Sequence, residues 1–180
     1  MLLSFRLAGL EDIPNLQELI PLSVRALQRG YYTSEQMDGA LGTVFAVDSQ
    51  LIRDGTYFVA ESDGLIVGCG GWSRRKTLFG GDQAKVGEDL VLDPKLDAAR
   101  IRAFFVRPGW ERKGIGTDIM HRCEEAVLAA GFHRIEIVAT LVGELLYAKF
   151  GYSAFERYDV ALQNGCSLPV VRMKKDGCHA

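Results

Sequence analysis

Phe104-Phe105-Val106-Arg107-Pro108-Gly109-Trp110-Glu111-Arg112-Lys113-Gly114-Ile115-Gly116-Thr117 joins the end of a strand to the start of a helix. Residues 99–106 read as a β run that Pro108 and Gly109 stop. Residues 117–131 follow as a helix, with Ile119, Cys123, Ala126, Val127 and Ala130 on one face and Gly131 as its C-cap. Residues 133–139 read as a second β run. Strand, helix and strand in this order imply a parallel pair joined by a right-handed crossover, so the sheet is not purely antiparallel. Between the first strand and the helix, Gly114 and Gly116 can take backbone angles closed to other residues. They leave amides uncovered where a helix N-terminus presents unpaired N–H groups. Such a loop is an anion cradle of the kind that holds a pyrophosphate. From residue 100 to 113 there are five basic residues, Arg100, Arg102, Arg107, Arg112 and Lys113, against one acid, Glu111, so the local charge supports the cradle. The spacing is not the dinucleotide fingerprint, whose third glycine would fall at Ile119, and no Gly-Lys-Ser or Gly-Lys-Thr of a P-loop is present.

Outward from this unit, residues 11–28 carry Ile13, Leu16, Ile20, Val24 and Leu27 at helical spacing, with Pro21 predicting a kink or break near Ile20. Thr33 or Ser34 before Glu35 and Gln36 resembles a capping box that opens a short helix to about residue 41. Residues 56–61 and 65–73 read as a hairpin around Ser62, Asp63 and Gly64. Gly68, Gly70 and Gly71 in its second strand mark a bulge or a close approach by another backbone or a ligand. Residues 77–97 show no clean period and read as a long loop. Residues 142–150 read as a short helix ended by Gly151. Residues 152–162 and 168–174 make a closing hairpin around Asn164 and Gly165, and the polar tail from about 174 is expected to fray.

The 180 residues, 48% hydrophobic, fit one domain with a sizeable core. Twenty-one Lys plus Arg against 23 Asp plus Glu give a net charge of −2, which argues against a nucleic-acid or anionic-membrane partner. Cys69, Cys123, Cys166 and Cys178 are too scattered for a zinc or redox pair, so no metal is expected and the thiols read as reduced and cytoplasmic. The first six residues are too few for a signal peptide, and no apolar run approaches the ~20 residues of a membrane span.

Residues 106–116 resemble the acetyl-CoA motif of Gcn5-related N-acetyltransferases (GNAT), in which a strand ending in Val-x-Pro leads to a Gly-x-Gly loop and a helix. Leu146-Tyr147-Ala148-Lys149-Phe150-Gly151-Tyr152 resembles the family's second signature. Glu111 and Arg112 depart from the usual loop, and Thr140 and Gly143 stand where Asn and Ala are frequent. The resemblance covers essentially the whole chain. It implies an α/β fold with a mixed, mostly antiparallel sheet, one parallel strand pair and flanking helices. It implies acetyl-CoA as cosubstrate, held by Phe104, Phe105, Val106, Arg112, Lys113, Gly114, Ile115, Gly116 and Thr117. It implies direct transfer to the primary amine of a small molecule or peptide, with Tyr147 as general acid for the leaving thiolate, and it leaves a homodimer open. By resemblance, the main chain of Phe104, Phe105 and Val106 pairs with the pantetheine arm and holds the acetyl carbonyl.

A general base is unassigned. Glu61, Asp82, Glu88 and Asp89 are candidates through water, while His121 and His133 read as surface groups and Cys69 and Cys123 as structural thiols. Tyr31, Tyr32, Trp72 and Phe79 are candidates to line an acceptor pocket, with Asp82, Glu88 and Asp89 drawing in a cationic amine. The rival readings are a non-catalytic acyl-CoA-binding or regulatory domain, and a phosphate- or nucleotide-binding enzyme unrelated to acetyl transfer.

Overall fold

The computed structural model describes residues 2–177. Seven strands form one sheet in the order β1-β2-β3-β4-β5-β7-β6. They are β1 (Ser4–Leu7), β2 (Tyr57–Ser62), β3 (Leu65–Ser73), β4 (Ala99–Val106), β5 (Arg134–Ala139), β6 (Ser153–Ala161) and β7 (Ser167–Asp176). The helices are α1 (Ile13–Leu27), α2 (Ser34–Ala40), α3 (Ser49–Arg53), α4 (Ile115–Ala129) and α5 (Gly143–Lys149). Every neighbouring pair is antiparallel except β4 with β5, which is parallel and joined through α4.

Two apolar layers sandwich the sheet, because successive strand residues point to opposite faces. Leu16, Leu19, Ile20 and Val24 of α1 pack with Val59, Cys69 and Phe105, while Ile115, Ile119, Met120, Cys123 and Val127 of α4 pack with Ala60, Val67 and Ile101. The alternation of β4 is broken. Ile101 and Phe105 are four residues apart, which in a regular strand puts them on one face, yet they serve opposite layers. The reason lies in the register, where Cys69 faces Phe105 and Gly71 faces Arg102, so that Ala103 and Phe104 together oppose Gly70. This is a β-bulge, with Ala103 at φ 56°.

The glycines of β3 serve this packing. A Cβ on Gly70 would lie 2.7 Å from the Phe104 ring, one on Gly71 2.5 Å from the Thr56 carbonyl oxygen, and one on Gly68 would overlap Ile115 at the start of α4. Thr33 caps α2 by accepting from the Gln36 amide at 3.2 Å, as the capping box predicts. Pro21 does not break α1, which runs uninterrupted from Ile13 to Leu27. The buried Leu19, Ile20 and Val24 around it outweigh the one donor lost. Strand β1 and the single-turn α3 lie in segments with no period long enough to read. β7 continues to Asp176, beyond the expected onset of fraying at 174, because Lys174 pairs with Glu136 of β5 and Ser153 of β6. Cys178 falls outside the described residues.

The aperiodic segment 77–97 is tied down at many points. Arg102 donates to the Thr77 and Gly80 carbonyls at 3.1 and 2.6 Å and to Asp48 at 2.8 Å. Lys85 pairs with the same Asp48, and the Gly81 and Asp82 amides donate to the Thr43 and Val47 carbonyls. The Arg102 and Asp48 side chains are 2% and 1% exposed. Asp48→Ala therefore leaves a guanidinium buried without its counter-charge. It is expected to cost about 3–5 kcal/mol of stability, measured by urea denaturation against wild type.

Candidate active site

The site is built where β4 and β5 part. They pair only at Ala99 with Ile135 and Arg100 with Glu136, after which β5 pairs with β7 alone. From Ile101 onward the edge of β4 that faces β5 has no strand partner, and its main-chain groups are available to a ligand that lies along it. The bulge accentuates the opening by turning Ala103 towards the α1 layer, where its carbonyl accepts from the Tyr57 hydroxyl at 2.8 Å. Phe104 turns to the α4 layer and meets the Tyr147 ring edge-on at 6.1 Å between centroids. Of the three residues singled out for main-chain contacts, Val106 has its amide engaged by the Ser23 hydroxyl at 3.2 Å, and Phe105 sits in register with Cys69 of β3. Phe104 is the one at the crest of the bulge.

Beyond β4 the chain turns through Gly109 (φ 84°), Arg112 (φ 61°) and Gly114 (φ 84°) into α4. Gly114 is the N-cap in the left-handed conformation, and no side chain caps this end of the helix. The amides of Ile115, Gly116 and Thr117 thus form the open first turn of a 15-residue helix, whose dipole favours an anion there. Ile115 is buried, anchoring the turn to β3, while Arg112, Lys113 and Thr117 are exposed.

The five basic residues do not converge on the cradle as their sequence crowding suggests. Arg100 pairs with Glu136 at 3.2 Å, Arg102 with Asp48 at 2.8 Å, and Arg107 with Glu18 at 3.1 Å while also donating to the Ile66 carbonyl. Arg112 and Lys113 remain at the loop, and the Lys113 ammonium lies 4.4 Å from the centroid of the Trp110 ring. The helix end, with those two cations, carries the local positive field.

Tyr147 on α5 is 5% exposed and packs between Phe104 and Tyr152. Burial holds its hydroxyl protonated far above the ordinary phenol range, with the neighbouring Cys123 thiol adding to the shift. A cavity joins it to the other side of the sheet. Its walls are Gln28 at the end of α1, Phe45 before α3, Phe79 and Gly80 of the long loop, the bulged stretch of β4, and Tyr147. Gln28 is 6% exposed and its Oε1 has no hydrogen-bond partner. Sequence reading missed Ser23, Gln28 and Asp48, three buried polar residues with no motif around them.

Several expectations are corrected. Tyr31 is exposed, Tyr32 is a strut that donates to the Pro169 carbonyl and accepts from the Leu141 amide, and Trp72 packs on Phe132 in the other layer, so of the four aromatics Phe79 alone lines the cavity. Asp82 accepts from the Ser49 amide, Asp89 from the Thr77 amide, and Glu61 pairs with Arg6. Glu88 is exposed, and the expectation that His121 and His133 are surface groups holds, with His121 against Phe150 and His133 at the entry to β5. The expectation that Cys69 and Cys123 are structural thiols holds: both are buried, and burial pushes the Cys69 thiol up to about 12 and the Cys123 thiol above its usual range. The Thr140 hydroxyl accepts from the Gly143 amide and so caps α5. Among the described residues, no cluster of His, Cys, Asp or Glu is placed to hold a metal, and no helix is long and apolar enough to cross a membrane.

Residues 53–154 match the family model described as acetyltransferase (GNAT) domain. Among solved structures, the chain is similar to a GCN5-related N-acetyltransferase from Rhodopseudomonas palustris at 21% identity and TM-score 0.70, covering 98% of each chain. It is similar to the PaiA N-acetyltransferase of Thermoplasma acidophilum in complex with coenzyme A at 15% identity and TM-score 0.63, covering 98% of this chain and 99% of that one. It is also similar to a ribosomal-protein-alanine N-acetyltransferase from Brucella melitensis at 17% identity and TM-score 0.63, covering 96% and 99%. These likenesses establish the fold. No significant match is found among curated proteins.

The two glycines of the cradle predict different failures. Gly114→Val forces a branched residue to φ 84° and is expected to distort the turn, lowering both melting temperature and coenzyme A affinity, the latter at least about tenfold. Gly116 has an ordinary φ, and its Cβ would meet only Leu146 Cδ2 at 3.3 Å. Gly116→Val should shield the amides and weaken coenzyme A, with the melting temperature nearly unchanged. Calorimetric titration and thermal melting on both variants check the pair.

Proposed function

The chain belongs to the acetyltransferase (GNAT) domain family and is an acetyl-CoA-dependent N-acetyltransferase, and we propose that it transfers the acetyl group directly to a primary amine, with Tyr147 as the general acid. The observation that carries this reading is that the unpaired edge of β4 at Phe104 and the buried Tyr147 line one cavity where β4 and β5 part, while the uncapped start of α4 lies against α5, a Cβ on Gly116 meeting Leu146. The residues fit the cosubstrate. Gly114 to Thr117 offer backbone amides to a diphosphate, Arg112 and Lys113 add charge, and the β4 edge at Phe104 offers main-chain partners to a pantetheine arm.

Acetyl-CoA supplies the activated acetyl thioester. Transfer exchanges a C–S bond for a C–N bond and moves one proton from nitrogen to sulfur. A main-chain donor beside the thioester carbonyl stabilises the charge that develops on its oxygen, a contribution of roughly 3 kcal/mol per donor in comparable sites. The Tyr147 phenol is protonated at neutral pH, as a proton donor to the sulfur must be, and burial holds it so beyond the ordinary range. Its ring, locked between Phe104 and Tyr152, fixes where that proton points.

Tyr147→Phe keeps the ring and removes the hydroxyl. Melting temperature and acetyl-CoA affinity are expected to stay near wild type while kcat falls about 10- to 10,000-fold in a thiol-release assay. Normal turnover in the folded variant would remove Tyr147 from the mechanism. Because burial raises the phenol above its ordinary range, any alkaline loss of kcat that this group causes should lie above about pH 10 and be absent from the residual activity of Tyr147→Phe.

A further inference from the structure

We propose that the cavity on the α1 side of the gap takes a weakly basic primary amine carried on an aromatic or branched apolar frame, and that Gln28 is its specificity-determining residue; this rests on the acetyl-transfer reading above. Phe45, Phe79, Leu168 and Val170 give the cavity apolar walls that end at the bulge of β4. Its charged lining group is Arg102, whose guanidinium is committed to Asp48 and to the Thr77 and Gly80 carbonyls. Asp48 is itself shared with Lys85. Among the described residues, no carboxylate and no histidine lines the cavity.

An ammonium entering such walls would lose its water without gaining a counter-charge, so the bound form is the neutral amine. At pH 7 an amine with the basicity of a lysine side chain, pKa about 10.4, is neutral in about one molecule in 2,500. An α-amine with pKa near 7.7–8.0 is neutral in about one in six to one in eleven. An arylamine is neutral outright. The cavity therefore selects for low basicity, and an acceptor of that kind needs no protein base to shed a proton before attack, which accounts for the lack of one.

Gln28 supplies the polar contact. Its backbone ends α1, with the amide on the Val24 carbonyl and the carbonyl accepting from Tyr31 and Tyr32. Gln28 stands in the cavity wall and its Oε1 is closed off and unpartnered, a costly state that a ligand N–H relieves once the side chain turns towards it. An amine that donates one N–H to this oxygen is held by hydrogen bonding and not by charge.

The test uses the full chain with aniline, phenylalaninamide, benzylamine and spermidine as acceptors, and thiol release as the readout. Aniline and phenylalaninamide represent the aryl and α-amine sources of the same chemistry, and benzylamine keeps the ring of aniline with a basic nitrogen. The expected result at pH 7 is a kcat/KM at least tenfold higher for aniline, phenylalaninamide or both than for benzylamine and spermidine. In Gln28→Leu and Gln28→Met, acceptor KM should rise at least tenfold while KM for acetyl-CoA and the melting temperature hold. Calorimetric titration of aniline into coenzyme A-saturated protein should weaken in parallel. Benzylamine or spermidine equal to or better than the weak bases, or a folded Gln28 variant with unchanged acceptor KM, would overturn the proposal while leaving acetyl transfer standing. Failure of the wild type to bind acetyl-CoA would overturn both.

Discussion

One extra residue in β4 sets the geometry on which the rest of the site depends. Because Ala103 and Phe104 together face Gly70, the side-chain alternation of β4 shifts by one, and residues that would share a face are divided between the two layers. Phe105 fills the α1 side, Phe104 reaches Tyr147 on the α4 side, and the strand swings away from β5 after two paired residues. The cost is a non-glycine residue at φ 56°, offset in part by the Tyr57 hydroxyl on the Ala103 carbonyl and by the tight fit of the Phe104 ring over Gly70.

The legible part of this arrangement was local. Gly114 before a periodic helix is a statement about one φ angle and one set of unpaired amides, and both are realised at the same residue. The hairpin of β2 and β3, the capping box at Thr33 and the strand-helix-strand unit likewise rest on short-range chemistry. Gly68, Gly70 and Gly71 announced a close approach, and it comes from Ile115, Phe104 and Thr56 with Tyr57. Which neighbour meets which glycine is not written locally.

Charge was the misleading signal. Five cations within fourteen residues look like one patch, but only Arg100 and Arg102 lie on β4, and Arg100, Arg102 and Arg107 each find a different acid in space. Arg102 reaches Asp48, 54 residues away, and Arg107 reaches Glu18, 89 away. The acids expected to attract a cationic acceptor were spent the same way, Asp82 and Asp89 on backbone amides. Crowding in sequence measures field only where side chains stay exposed, which here leaves Arg112 and Lys113. The segments missed, β1 and α3, span four and five residues, too few for either period to declare itself.

The buried pair of Arg102 and Asp48 links the bulge to the long loop, and through it the gap to the cavity wall. Arg102 is the residue just before Ala103, so its direction is fixed by the same break in alternation. From there it holds the carbonyls of Thr77 and Gly80, which brings Phe79 against Phe45 and Gln28 around the cavity. A loop without period is thereby ordered by a guanidinium that shares its counter-charge, Asp48, with Lys85. The cavity is consequently preformed and lined by no carboxylate among the described residues, while the start of α4 presents a helix dipole and two exposed cations. In the proposed reading an anion is drawn to one mouth of the gap, a neutral amine is admitted at the other, and the two meet at the crest of the bulge beside Tyr147.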